Sequence, residues 1–273
     1  MPAWAGFQHG RSETLGVNTA NSTGTTVTAS ATTNSFGSWA SLGQTTFAWD
    51  WLNLVVAQTA ASDKVFEVGL SGDGTNFYTI CEGLRLAGRK SADLVQSIAL
   101  PLRVPSGKYV GVRVAASTGS HVLNVSITGT SVGMKGATGY SRGIALYTPA
   151  TSRGVAVDPG GSANTKSSWT EMIASSGASV DSVYVQIGQN ADTTRTATAT
   201  ALLDIGVGAS SSEFAMIPNI FMRWTTTLDG PQFDVGPIPC YIPAGSRVSA
   251  RAQCTDNVAG DRTLDVGIIG FVP

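Results

Sequence analysis

The groups from which this chain could assemble chemistry are few: two histidines, three cysteines, and eighteen aspartates and glutamates. Nucleophilic catalysis needs a base beside a hydroxyl or thiol. His9 stands in a polar start and His121 in a polar turn, neither within a catalytic motif. The sequence has no HExxH pair or phosphate-binding glycine loop. Cys81, Cys240 and Cys254 lack the CxxC spacing of a zinc site. Two of them replace small or apolar residues of an internal repeat, Cys240 at Leu102 and Cys254 at Ala116, which reads as buried free thiol. A Cys240–Cys254 disulfide is the alternative. Asp73 and Asn76 offer oxygens to calcium, but Ser71-Gly72-Asp73-Gly74-Thr75 has the composition of a hairpin turn. Eighteen carboxylates leave a glycosidase pair open. Yet Glu67 and Asp204, like Asp50 and Asp181, occupy equivalent repeat positions, which favours structural duties. The expectation is a chain that is not an enzyme, with no catalytic residue, no cofactor and no metal ligands.

Aromatic side chains offer recognition instead. Trp49, Trp51 and Trp224 could form a platform on which a sugar stacks. The preferred reading places them in the core or a subunit interface, where aromatic rings dominate the energetics. Trp4 and Phe7 stand in an otherwise polar start and either dock on a partner or cap the first core. A net charge of −1 without a basic stripe argues against nucleic-acid binding. The longest basic cluster, residues 85–90, reads as a solvated loop. No apolar run reaches the ~20 residues of a membrane span. The N-terminus lacks the basic region and apolar core of a signal peptide.

The elements that would position these residues are written twice. Ile238-Pro239-Cys240-Tyr241-Ile242-Pro243-Ala244-Gly245-Ser246-Arg247 has a twin in Leu100-Pro101-Leu102-Arg103-Val104-Pro105-Ser106-Gly107-Lys108. Upstream, Trp39 matches Trp169 and Val27 matches Val157 at an offset of 130. Asp50, Leu52, Leu54, Val56 and Gln58 match Asp181, Val183, Val185, Ile187 and Gln189 at 131. Glu67 matches Asp204 at 137, with Phe77 and Ile80 set against Phe214 and Ile217 at the same shift. The prolines match at 138, and the strand at Leu123 matches that at Leu264 at 141. The offset only grows, so the differences are small insertions, which polar loops tolerate.

The chain is 42% hydrophobic and 13% charged, against about 25% charged in average domains. Short alternating segments rich in Thr, Val and Gly predict strands with tight turns. Phe47, Trp49 and Trp51 fall on one face of a strand, and Asp50, Leu52 and Leu54 on the other. Helical signal is nearly absent, with residues 171–174 the one candidate turn. The expected class is all-β: two tandem, internally duplicated antiparallel β-sandwich domains, jelly-roll-like. Boundaries fall at an N-terminal arm (1–22), a first sandwich (23–130), a linker (131–143) and a second sandwich (144–273). Pro101, Pro105, Pro239 and Pro243 belong at a sheet edge or crossing, because proline cannot donate to a ladder. Gly107 and Gly245 then supply the turn into the next strand.

The pattern Pro-x-x-Ile-Pro-Ala-Gly-Ser-Arg at 239–247, its weaker twin at 101–108, and the Ser-Gly-Asp-Gly-x-x-Phe turn at 71–77 carry a resemblance. The chain resembles the tandem β-sandwich virion proteins of tailed bacteriophages, which form head decorations, spikes or tail fibres. That resemblance implies a non-enzymatic assembly part, made in the host bacterial cytoplasm and resident in the virion. It implies a homo-oligomer, a trimer first, with capsid or tail proteins as partners. The alternative is a carbohydrate-binding module contacting a host-surface glycan.

Overall fold

The computed structural model describes residues 10–20, 23–58, 62–86, 95–131, 139–148, 152–189, 196–224 and 232–273. The first half contributes β1 (Arg11–Leu15), β2 (Val17–Asn18), β3 (Thr23–Thr28), β4 (Ala40–Gln44), β5 (Trp51–Gln58), β6 (Lys64–Ser71), β7 (Tyr78–Leu86), β8 (Val95–Leu100), β9 (Tyr109–Ala116) and β10 (Val122–Ser131). The second contributes β11 (Arg142–Ala145), β12 (Val155–Val157), β13 (Thr170–Ile173), β14 (Val180–Gln189), β15 (Ala199–Val207), β16 (Phe214–Trp224), β17 (Phe233–Ile242), β18 (Val248–Cys254), a helical turn α1 (Ala259–Arg262) and β19 (Leu264–Val272). Residues 171–174, the candidate helical turn, fall largely in β13 instead: Met172 is buried and needs the sheet beneath it.

The strand order is the same in both halves. One sheet runs β3-β10-β5-β8 in the first half and β12-β19-β14-β17 in the second. The facing sheet runs β4-β9-β6-β7 and then β13-β18-β15-β16. From β3 to β10 the chain changes sheet at every step except the β6–β7 hairpin, which is jelly-roll connectivity. Along β5, and along β10 up to its last residue, half-buried and buried residues alternate, so Leu52, Leu54, Val56, Leu123, Val125 and Ile127 line the core. The apolar alternation thus fixes which face each strand buries.

The twin proline segments form twin clamps. Thr45 Oγ1 donates to the Pro105 carbonyl (2.9 Å) and accepts from the Lys108 amide (3.1 Å). Ser176 Oγ donates to the Pro243 carbonyl (2.9 Å) and accepts from the Ser246 amide (3.2 Å). Gly107 N–H donates to Thr45 O, and Gly245 N–H to Ser176 O, each at 2.9 Å. Both glycines hold positive φ, 76° and 81°. No atom lies within 4 Å of where a Cβ would sit on either, so backbone conformation and not space requires glycine.

Further sequence expectations change. Residues 11–18, assigned to an arm of 1–22, are strands β1 and β2. β1 pairs with β10 from Arg11↔Ser131 to Leu15↔Ile127. Glu13 accepts from Trp49 Nε1 (2.7 Å) and from the Thr46 amide (3.0 Å) and hydroxyl (2.6 Å). The signal was present: Arg-Ser-Glu-Thr-Leu at 11–15 matches Arg-Gly-Ile-Ala-Leu at 142–146, and β11 lies on β19 as β1 lies on β10. Second, the expected linker 131–143 runs from the last residue of β10 into the start of β11; residues 132–138 lie outside the described residues. Third, the structure puts Tyr78 and Cys81, not Phe77 and Ile80, opposite Phe214 and Ile217, because Leu70↔Tyr78 and Val68↔Cys81 correspond to Val207↔Phe214 and Ile205↔Ile217.

β11 joins the halves into one sheet. It lies antiparallel to β19 and parallel to β7, meeting it at Gly143↔Cys81. The order β17-β14-β19-β11-β7-β6-β9-β4 is therefore continuous.

Candidate functional site

A tryptophan, an arginine and a carboxylate recur on the outer face of β4-β9-β6-β7 and of its counterpart. Outside the core, Glu67 pairs with Arg113 across β6 and β9, and Asp204 with Arg251 across β15 and β18. Arg113 bonds Glu67 at 2.6 Å, and Glu67 also accepts from the Thr79 hydroxyl at 3.1 Å. The Arg113 guanidinium lies 4.7 Å above the Trp39 ring and 4.7 Å above Phe36, while Phe77 stacks on Trp39 at 5.4 Å. In the second half Arg251 bonds Asp204 at 2.9 Å and sits 4.4 Å above Trp169. Each indole lies on a glycine: a Cβ on Gly69 would come within 2.6 Å of Trp39, and one on Gly206 within 2.7 Å of Trp169.

This constellation binds itself. Burial works against ionisation of Asp204, but Lys166 (2.6 Å), the Asn219 amide (2.8 Å) and Arg251 outweigh it and hold the carboxyl below its usual range. An ionised carboxylate saturated by two cations and an amide is a poor proton donor at neutral pH. The guanidinium over each indole already supplies a cation–π contact. A sugar seeking the same ring face would have to displace it.

The junction between the halves is a second polar cluster. Arg85 on β7 forms a buried ion pair with Asp265 on β19, at 1% and 0% side-chain exposure. Its Nη1 donates to the Asp265 carbonyl at 2.9 Å. The Arg85 amide donates to Gln186 Oε1 (2.8 Å), and Gln186 Nε2 returns a bond to the Arg85 carbonyl (3.2 Å). Tyr147 donates to the Gly83 carbonyl at 2.6 Å, and burial pushes its phenol well above the usual value, so it stays a donor. Gln96 on β8 reaches Asp234 on β17. Burial raises the Asp234 carboxyl against the pull of Gln232, Gln96, Tyr184 and Gln186.

The residues singled out from sequence fall as follows. Trp4, Phe7 and His9 lie outside the described residues, as do residues 87–90 of the basic cluster. Sequence alternation puts Trp49 and Trp51 on one face, but a bend at Asp50 resets it. Trp49, at 0% exposure, turns into the core, and Trp51 is half-buried at the start of β5. Trp224 is 7% exposed. The three indoles therefore present no shared platform. Asp50 is half-buried and Asp181 exposed. Cys81 and Cys254 are buried, Cys240 half-buried, and none of the three is in a disulfide. Burial pushes the Cys240 thiol up to about 11, so it is no thiolate nucleophile near neutrality. His121 Nδ1 meets Ser62 Oγ at 2.7 Å. Asp73 caps its own turn, accepting from Ser71 Oγ (2.7 Å) and the Thr75 and Asn76 amides (2.9 and 2.8 Å). Among the described residues no cluster of three or more His, Cys, Asp or Glu could hold a metal. Among them, too, no helix is long and apolar enough to cross a membrane.

What the sequence reading missed lies on β16 and β17. Phe214, Phe221, Phe233 and Tyr241 are 74%, 59%, 44% and 64% exposed. Among the described strands β16 pairs only with β15 and β17 only with β14, so each ends its sheet. The available signal was comparison across the repeat: in the structural register exposed Phe221 stands where Arg85 is buried.

No protein-family model matches the chain, and no curated protein does. Among solved structures it is similar to a chain of the cowpea mosaic virus top component, naturally occurring empty particles (TM-score 0.34, 11% identity, 91% of this chain and 88% of that chain). It is also similar to the CBM22-1–CBM22-2 tandem domain of Paenibacillus barcinonensis Xyn10C (TM-score 0.25, 8% identity, 96% and 92%). A third similarity is to the PBSX exported protein XepA (TM-score 0.26, 9% identity, 94% and 86%).

Proposed function

We propose that the chain is a non-enzymatic structural component of a virion, a head decoration, spike or tail-fibre protein of a tailed phage, that works by self-association and by docking to capsid or tail proteins. The observation that carries this reading is the set of exposed aromatics, Phe214, Phe221, Phe233 and Tyr241, on β16 and β17, each the edge of its sheet among the described strands. Large exposed apolar side chains gathered on unpaired edges mark surfaces meant to be covered. The acidic residues at the repeated positions Glu67 and Asp204 are, by contrast, committed to arginine and lysine. In this reading the protein is made in the host bacterial cytoplasm and forms a homo-oligomer, a trimer by first choice. Among the described indoles a glycan finds little open ring face: Trp39 and Trp169 carry arginines, Trp49 and Trp224 are buried, and Trp51 is half-buried.

The test pairs light scattering on purified protein with mass spectrometry of purified particles of the encoding virus. The reading expects a defined oligomer and the chain in the particles. A monomer at every concentration, absent from the particles, overturns it. Glycan-array binding abolished by Trp51→Ala in a folded protein would support recognition instead.

A further inference from the structure

The interface between the two halves has a vacant counterpart. In the first half, Arg85, Val65 and Ala115 form one row across the outer face of β7, β6 and β9, and all three are buried. Arg85 is covered there by Asp265 and Gln186 of the second half. Gly267 admits it, since a Cβ at that position would meet Arg85 Cδ at 2.6 Å. The same register in the second half aligns Phe221, Leu202 and Gln253 across β16, β15 and β18. That row is open: Phe221 is exposed, Leu202 and Gln253 are half-buried, and a hollow of about 240 Å³ lies beside them.

The covering surface also has a counterpart. Gln186↔Gly267 and Gly188↔Asp265 on β14 and β19 correspond to Val55↔Ser126 and Ala57↔Asn124 on β5 and β10. Thus Gln186, Asp265 and Gly267 are replaced by Val55, Asn124 and Ser126, all half-buried and available at the surface. The exchanges match across the interface. Where the covered row loses the charge of Arg85 and presents Phe221, the covering surface loses the carboxylate of Asp265 and gains an aliphatic Val55. A phenylalanine buries well against valine and a neutral amide, whereas Asp265 would be left without that cation. β1, the counterpart of the joining strand β11, pairs only with β10 among the described strands.

We propose that the Phe221 face of one copy seats the Val55–Asn124 face of a second copy, repeating between chains the packing that Arg85 and Asp265 make within one. The partner is thus another molecule of this chain, and the inference rests on the self-association in the proposed function. The two faces differ, so the contact is head-to-tail, and its repetition closes a ring or extends a filament.

The experiment is light scattering on the full chain over a range of concentrations, with circular dichroism and thermal melting to check folding. Phe221→Arg should reduce the wild-type oligomer to single chains with the melting profile retained. Adding Val55→Gln, Asn124→Asp and Ser126→Gly to Phe221→Arg rebuilds the internal lock in the intermolecular setting and should restore the wild-type mass. A folded Phe221→Arg protein with unchanged mass overturns this contact while leaving self-association through another surface. Loss of the oligomer without restoration in the quadruple variant overturns the pairing of these two faces. A wild-type protein that is a single chain at every concentration overturns both this contact and the self-association behind it.

Discussion

The Arg85 guanidinium and the Asp265 carboxylate meet across 180 residues of sequence, buried at the junction of the two halves. Two charges withdrawn from water stabilise little over an apolar pair of the same shape, but removing one of them is costly. Arg85→Ala should therefore lose about 3–5 kcal/mol in urea unfolding. The double change Arg85→Met with Asp265→Leu should regain most of that loss. A single variant within 1 kcal/mol of wild type would show that the halves are held by other contacts.

The twin clamps give a second expectation. Gly107→Val and Gly245→Val should each cost ~1 kcal/mol or more, because both positions require positive φ. Open space around them means that only the backbone is strained. Asparagine, which tolerates the left-handed region, should then lose distinctly less than valine at both sites. Equal losses for valine and asparagine in thermal melting would point to crowding instead.

Asp204 sets an acid limit. Its folded carboxyl lies below the ordinary value, held there by Lys166, the Asn219 amide and Arg251 against its burial. An unfolded aspartate has a pKa of about 3.9. Below neutrality the unfolded state takes up its proton first, so this group's stabilisation is complete above about pH 4 and is lost as pH falls further. Asp204→Asn should be less stable at pH 7 yet lose less stability between pH 5 and pH 2. Parallel urea midpoints across that range for the two proteins would sink the assignment.

The fold was legible because the apolar period is two along nearly every strand and the repeat doubled each observation. Leu52, Leu54 and Val56 point inward as their alternation requires. Two misplaced features sit where a regular period is interrupted. The bend at Asp50 sent Trp49 inward, and the hairpin from Val207 to Phe214 is one residue shorter than that from Leu70 to Tyr78, which shifted the register between the copies by one residue. A single-residue slip inverts every later face. The Arg85–Asp265 lock was hidden for another reason: its partners come from different halves, and a repeat aligned on itself does not reveal where the copies touch each other. The open row of Phe221, Leu202 and Gln253 shares that cause, since Phe221 gains meaning only once its counterpart is seen to be covered.

The start of the chain can be divided by deletion. Trp4 and Phe7 precede β1, whereas Glu13 within β1 accepts the Trp49 indole N–H and the Thr46 amide and hydroxyl. Removing residues 1–10 spares these bonds and the pairing of Arg11 through Leu15 with β10. The melting temperature should then stay close to wild type, while incorporation into particles weakens if the two aromatics dock there. Removing residues 1–15 also takes away a strand and leaves the buried indole nitrogen of Trp49 without its carboxylate. A lost hydrogen bond to a charged group costs about 1.5–3 kcal/mol, so this longer deletion should melt several degrees lower. Particle pull-down and thermal melting on the two deletions separate the roles. Normal decoration by the 1–10 deletion would remove Trp4 and Phe7 from docking. An unchanged melt for the 1–15 deletion would mean that the Glu13–Trp49 bond carries no share of the first half's stability.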